Sequence, residues 1–206
     1  MEKKTSAHYQ REFRRRLREQ GLIKKEVWIH PERASQLREI EKRLRFSGEN
    51  VLTDGENSMT SRTNGTWHTT DLYTEIEKSE LISSGAASVE LIEGVDPSIH
   101  LEMRDYGDLP IFVTVAGEQI TADAVLWPKS AVSNAAGFND AVLRTHKYFP
   151  LSTISLETVN GEDYYYMFGA LSAASGLDDV LVEIDALASN VINATEAYGE
   201  FLKFDS

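Results

Sequence analysis

The sequence predicts an α+β protein. A helix is followed by three or four strands, a helix, a two-stranded hairpin and a long C-terminal helix. Three observations carry this reading. Apolar residues alternate with polar ones over Ser88–Ile92, Ile99–Met103 and Leu109–Val115, the period of a half-buried strand. Asn160-Gly161, between two β-rich runs, is the favoured dipeptide of a two-residue hairpin turn. Leu177, Ile184, Val191 and Tyr198 recur every seventh residue, and Val180, Leu187, Ala194 and Phe201 fill the +3 positions of the same heptads.

The elements follow in order. Ala7–Gln20 reads as a helix with Tyr9, Phe13 and Leu17 on one stripe, ended by Gly21. Lys24–His30 reads as a short strand, and Pro31 fits the first turn of the next helix, with Ala34, Leu37, Ile40 and Leu44 on one face. Ser47–Thr66 is rich in Gly, Ser, Thr, Asn and Asp and reads as a flexible linker with a coil span of roughly 25 Å. A helix is predicted over Trp67–Ser83, capped by Thr69 or Thr70. Ala116-Gly117-Glu118 turns Leu109–Val115 back into Ile120–Trp127, where Pro128 stops the strand. Ala135–Tyr148 reads as a helix bearing Phe138, Val142, Leu143 and His146, and Thr153–Glu157 pairs with Tyr164–Ala170. The last helix is predicted over Leu177–Phe204, with a start resembling a capping box at Ser175–Asp178. Its four heptads span ~42 Å, so the stripe Leu177, Val180, Ile184, Leu187, Val191 and Tyr198 serves the body's own core, a partner helix in a dimer, or both.

Composition narrows the chemistry. The chain has 206 residues, 41% hydrophobic and 26% charged, enough to build a core. It has no cysteine, which removes disulfides, thiolate metal sites and cysteine nucleophiles. Residues 1–20 are charged throughout and no run approaches the ~20 apolar residues of a membrane span, so a cytoplasmic protein is expected. The net charge of -12 divides unevenly. Residues 1–46 hold 14 Lys and Arg against 7 Asp and Glu, a net of +7, and residues 47–206 hold 7 against 26, a net of -19. A basic segment beside an acidic body is the charge pattern of a protein that meets a polyanion. Domains are accordingly expected at 1–46, 47–66 and 67–206.

No residue cluster specifies a reaction. Glu162-Asp163 and Asp178-Asp179 have local reasons in turn chemistry and the helix dipole. Asp105, Asp108 and Glu118 could present oxygens to a hard cation, but without EF-hand spacing they read as loop solubility. His68, His100 and His146 are scattered, and Arg144, His146 and Lys147 form a basic island on the acidic body. Tyr164, Tyr165 and Tyr166 alternate across a strand, so at least one should be exposed, as suits an interface. No enzyme activity, cofactor or metal is expected.

Two resemblances add to this reading. RRLREQGLIKKEVWIHPERASQLREIEKRLR is similar to the N-terminal part of MazE-like antitoxins, a ribbon-helix-helix class whose paired strands enter the major groove. That resemblance implies a homodimer and DNA contact through Arg14, Arg15, Arg18, Lys24, Lys25, Trp28 and Arg33. Trp28 fits a groove contact and the core of an arm-to-arm dimer equally well, and the second helix of the ribbon-helix-helix order is not found before residue 47. The body's element order resembles that of the dimeric type III secretion chaperones. Its motifs DYGDLP, LRTHK and FGALSA resemble the YjfI family, which implies a place beside phage-shock-protein-A-like membrane-stress factors and a partner of that kind. The two expectations are a DNA-binding regulator with a dimerising or sensing body, and a chaperone-like adaptor of such a stress system.

Overall fold

A computed structural model describes residues 5–24, 27, 33, 37, 40 and 65–203. Apart from Lys24, Val27, Arg33, Leu37 and Ile40, the expected strand and helix after residue 24 lie outside the described residues, as does the linker before Gly65. Those described divide into two compact units. Residues up to Phe13 belong with the α+β body.

The body is one six-stranded antiparallel sheet. Its strands are β1 (Ala87–Ile92), β2 (Ser98–Met103), β3 (Leu109–Ala116), β4 (Gln119–Pro128), β5 (Thr153–Val159) and β6 (Glu162–Ser172). The order across the sheet is β1-β2-β3-β4-β6-β5. Sequential hairpins build the first four strands, and the β5–β6 hairpin adds β6 against β4. Asn160 and Gly161, at φ 52 and 80, form its turn as their sequence predicts. The β4–β6 register shifts between Val125 and Trp127, where the strand leaves the simple alternation.

Alternation divides the sheet into two unlike faces. Ile99, Leu101, Met103, Leu109, Ile111, Val113, Ile120, Ala124, Leu126 and Met167 are at most 1% exposed and make the core face. Helices cover it: α2 (Thr69–Glu77), α3 (Glu80–Ser83), α4 (Ala135–Thr145) and α5 (Leu177–Ala197), while α1 (Ser6–Glu19) adds Tyr9 and Phe13 to the core. The helix predicted over 67–83 breaks after Glu77, where Ser79 Oγ turns back to donate to the Ile76 carbonyl. Neither threonine caps α2: His68 holds the cap position, and Thr69 Oγ1 instead accepts from the Val115 N–H of β3. Trp67, 1% exposed, is fixed beside it by donating Nε1–H to the Ser175 carbonyl at 2.9 Å.

The heptad stripe of α5 belongs to this core. Val180, Ile184, Leu187, Val191 and Tyr198 are at most 4% exposed within the single chain, and Leu177 is half-buried. Five of the six residues expected to serve the core, a partner helix or both are thus covered within the chain itself. The helix is also shorter than predicted, ending at Ala197, so that Tyr198 and Phe201 continue in a 3₁₀ turn. There they join Trp127, Phe149 and Tyr165 around Phe138, with edge-to-face contacts at 4.7–5.8 Å from Phe138 to four of the rings. The cap of α5 lies one residue later than predicted: Asp179 accepts from the Gly176 N–H at 3.1 Å.

Candidate binding surface

The outer face of the sheet is built differently. None of its strand side chains is buried, and no Lys or Arg occurs in any of the six strands. Register aligns one row across all of them. Glu90 lies opposite His100, His100 opposite Phe112, Phe112 opposite Asp123, Asp123 opposite Phe168 and Phe168 opposite Thr153. The next row runs Val125, Tyr166, Ser155, with Tyr164 opposite Glu157 beyond it. His100 stacks on Phe112 at 5.0 Å between ring centres and holds Glu90 Oε1 at 3.3 Å. Glu102 and Glu157 complete an acidic surround to these aromatics.

Crowding marks the charge of this face. Partial burial raises the Asp123 carboxyl above the ordinary range, the nearby Glu157 raises it further, and a Thr121 hydrogen bond offsets part of this. The Tyr166 phenol is raised too, first by burial and then by Glu157, Tyr164 and Asp123. Of the three consecutive tyrosines, Tyr165 is buried and donates to Asn139 at 2.8 Å, while Tyr164 and Tyr166 stand on the outer face.

At the β5–β6 edge the outer face opens into a cleft of ≈ 390 Å³. The His146–Thr153 segment forms one wall, and Phe168, Gly169 and Ala170 form the other. The motifs LRTHK and FGALSA thus meet here. His146 Nδ1 lies 3.0 Å from Thr153 Oγ1. From the core side, Asn190 Nδ2 donates to the Pro150 carbonyl at 2.8 Å and to Ser152 Oγ at 2.9 Å, pinning the segment to α5.

One heptad earlier on α5, Glu183 sits beneath Gly169. It is 3% exposed, and its Oε1 has no hydrogen-bond partner among the described residues. The carboxyl occupies the place where a Cβ on residue 169 would stand, and the Leu151 carbonyl oxygen lies 3.0 Å from the same point. Burial pushes the Glu183 carboxyl up to about 7. Its position between Val180 and Leu187, three and four residues away, places Glu183 beside the apolar stripe of α5.

The other residues singled out by sequence take local roles. Arg144 leaves the basic island to pair with Asp140 one turn back at 2.8 Å, and Leu143 beside it is 74% exposed rather than core. Lys147 Nζ lies 5.5 Å from the Tyr148 ring centre. Asp163 is held below the usual carboxylate range by hydrogen bonds from Thr158 and Lys129. Among the described residues no three His, Asp or Glu side chains are placed together to hold a metal ion.

Arg14, Arg15 and Arg18 lie on α1, where Arg15 pairs with Glu19 at 2.7 Å in an exposed i,i+4 bridge. Lys24 and Arg33 are exposed, and Lys25 and Trp28 lie outside the described residues. No helix among the described residues is long and apolar enough to cross a membrane.

An open antiparallel sheet with helices on one face and a half-exposed aromatic face on the other defines an α+β domain. The chain belongs to the family of uncharacterized proteins conserved in bacteria known as DUF2170, whose model matches residues 66–202. It is 39% identical over 101 residues to the uncharacterized protein YjfI of Escherichia coli K12, covering 49% of this chain and 76% of that one. YjfI of E. coli O157:H7 matches over the same shares of each chain. Among solved structures, YbjN of E. coli aligns with a TM-score of 0.44 at 12% identity, over 64% of this chain and 96% of that one. An uncharacterized protein of Methanothermobacter thermautotrophicus aligns with a TM-score of 0.45 at 11% identity, over 64% and 99%.

Proposed function

We propose that this is a non-enzymatic binding protein, a DNA-binding regulator that contacts nucleic acid through residues 1–46 and senses a partner with its acidic body. The observation that carries the reading is the charge division, +7 over residues 1–46 against -19 over the rest. Arg14, Arg15, Arg18, Lys24, Lys25, Trp28 and Arg33 supply the DNA contacts, and phosphate neutralisation supplies most of the affinity. Fluorescence anisotropy of labelled duplex DNA, titrated with the full chain at stepped salt, tests it. Affinity should fall steeply with salt. The triple variant Arg14→Gln, Arg15→Gln, Arg18→Gln should flatten the log–log slope by about 1 for each phosphate it no longer neutralises. Absence of salt-sensitive binding by the full chain overturns the reading.

A second reading is favoured by the aromatic outer face, since exposed tyrosine and phenylalanine suit protein contact. In it the chain is an adaptor of a phage-shock-protein-A-like partner. Co-purification of that partner in fixed stoichiometry after nuclease treatment supports it, and disappearance of the partner on nuclease treatment returns the weight to DNA.

A further inference from the structure

We infer that the outer face of the sheet is a docking surface for a cationic amphipathic helix of a protein partner. The inference concerns β1–β6 alone and stands or falls separately from DNA contact by residues 1–46.

Four properties of the face select that occupant. Its centre is apolar and aromatic: Phe112, Phe168, Tyr166 and Val125 lie on adjacent strands and remain partly exposed. Its charges are of one sign, with Glu90, Glu102, Asp123 and Glu157 around those rings and no Lys or Arg in any strand. Nucleic acid and anionic lipid are repelled by such a face, whereas lysine or arginine flanking an apolar stripe complements it. Its length also fits. Five inter-strand steps from Glu90 to Thr153 span ~24 Å, which ~16 residues of helix cover. Finally, Asp123 is held above the ordinary carboxylate range, first by partial burial and then by the negative charge of nearby Glu157, so a cation placed beside Asp123 relieves that repulsion.

The interaction is read with the full chain and a labelled amphipathic peptide of leucine and lysine, by fluorescence anisotropy. The double variant Asp123→Asn, Glu157→Gln should weaken binding by about tenfold. Glu118→Gln, Asp178→Asn removes the same charge away from the face and should weaken it less than about twofold. Phe112→Ser tests the apolar half of the contact without removing a charge, and should also weaken binding. A leucine–glutamate peptide of the same length should not bind. Equal weakening in the two charge variants would show attraction to net charge alone and overturn the assignment. So would binding of the glutamate peptide, or no binding of the lysine peptide to the parent chain.

Discussion

Gly107→Ala should detach the start of α1 from the body. Gly107 follows the 3₁₀ turn after β2 in the left-handed region, at φ 77. A Cβ there would stand 2.5 Å from the Tyr9 carbonyl oxygen and 2.9 Å from the Phe13 nitrogen. Those two atoms are the partners of one i,i+4 helical hydrogen bond, so the helix backbone itself rests on the glycine. Backbone cannot swing aside as a flexible side chain can. Beside this contact Phe13 stacks on Tyr106 at 5.7 Å, Tyr106 donates to Asp185 at 2.9 Å, and Gln10 donates to the Ile192 carbonyl at 3.2 Å. The methyl should therefore cost about 3 kcal/mol, strain and reduced burial together. Gly85→Ala is the control, because Gly85 has φ 81 and nothing within 4 Å of its virtual Cβ, leaving strain alone at about 1 kcal/mol. Hydrogen exchange at Phe13 should accelerate by about a hundredfold in Gly107→Ala. Unchanged exchange there would mean that α1 does not depend on this seat.

That seat also shows where the sequence is legible and where it is not. Period-2 alternation locates β1–β3, because one face of each is packed and the other is wet. The Asn160-Gly161 turn is readable for the same local reason, its backbone demanding φ > 0 at both positions. The stripe of Tyr9 and Phe13 is visible, but its acceptor surface comes from Tyr106, Gly107 and Ile192, which are distant in sequence. Charge marks the arginine-rich segment up to residue 46, but it does not show that Tyr9 and Phe13 are buried. The α5 heptads are equally visible, yet periodicity cannot say whether a sheet or a second helix covers them. The outer row from Glu90 to Thr153 is beyond reach, since it depends on the registers of five separate strand pairings.

Glu183→Gln should stabilise the protein above pH 7 and remove a pH-dependent part of its stability. In the folded chain the buried carboxyl keeps its proton up to about 7, against 4.5 for an ordinary glutamate. Between those values the native state binds the proton and the unfolded state does not, so stability falls as pH rises from 4.5 through 7. Below that window both states are protonated and the contribution is complete. Above it the ionised carboxylate remains buried without a partner, against Gly169 and close to the Leu151 carbonyl oxygen. Glutamine is neutral throughout. It should match the parent at about pH 4 and exceed it at about pH 8 by on the order of 2–3 kcal/mol. Denaturant unfolding of both chains across this range isolates the effect, because every other titrating group is common to both. The amide nitrogen of glutamine can also donate to the Leu151 carbonyl, which a carboxylate cannot. If the difference between the two chains does not change across this range, Glu183 is ionised or solvated in the native protein. Water or a cation would then have to reach the carboxyl beneath Gly169.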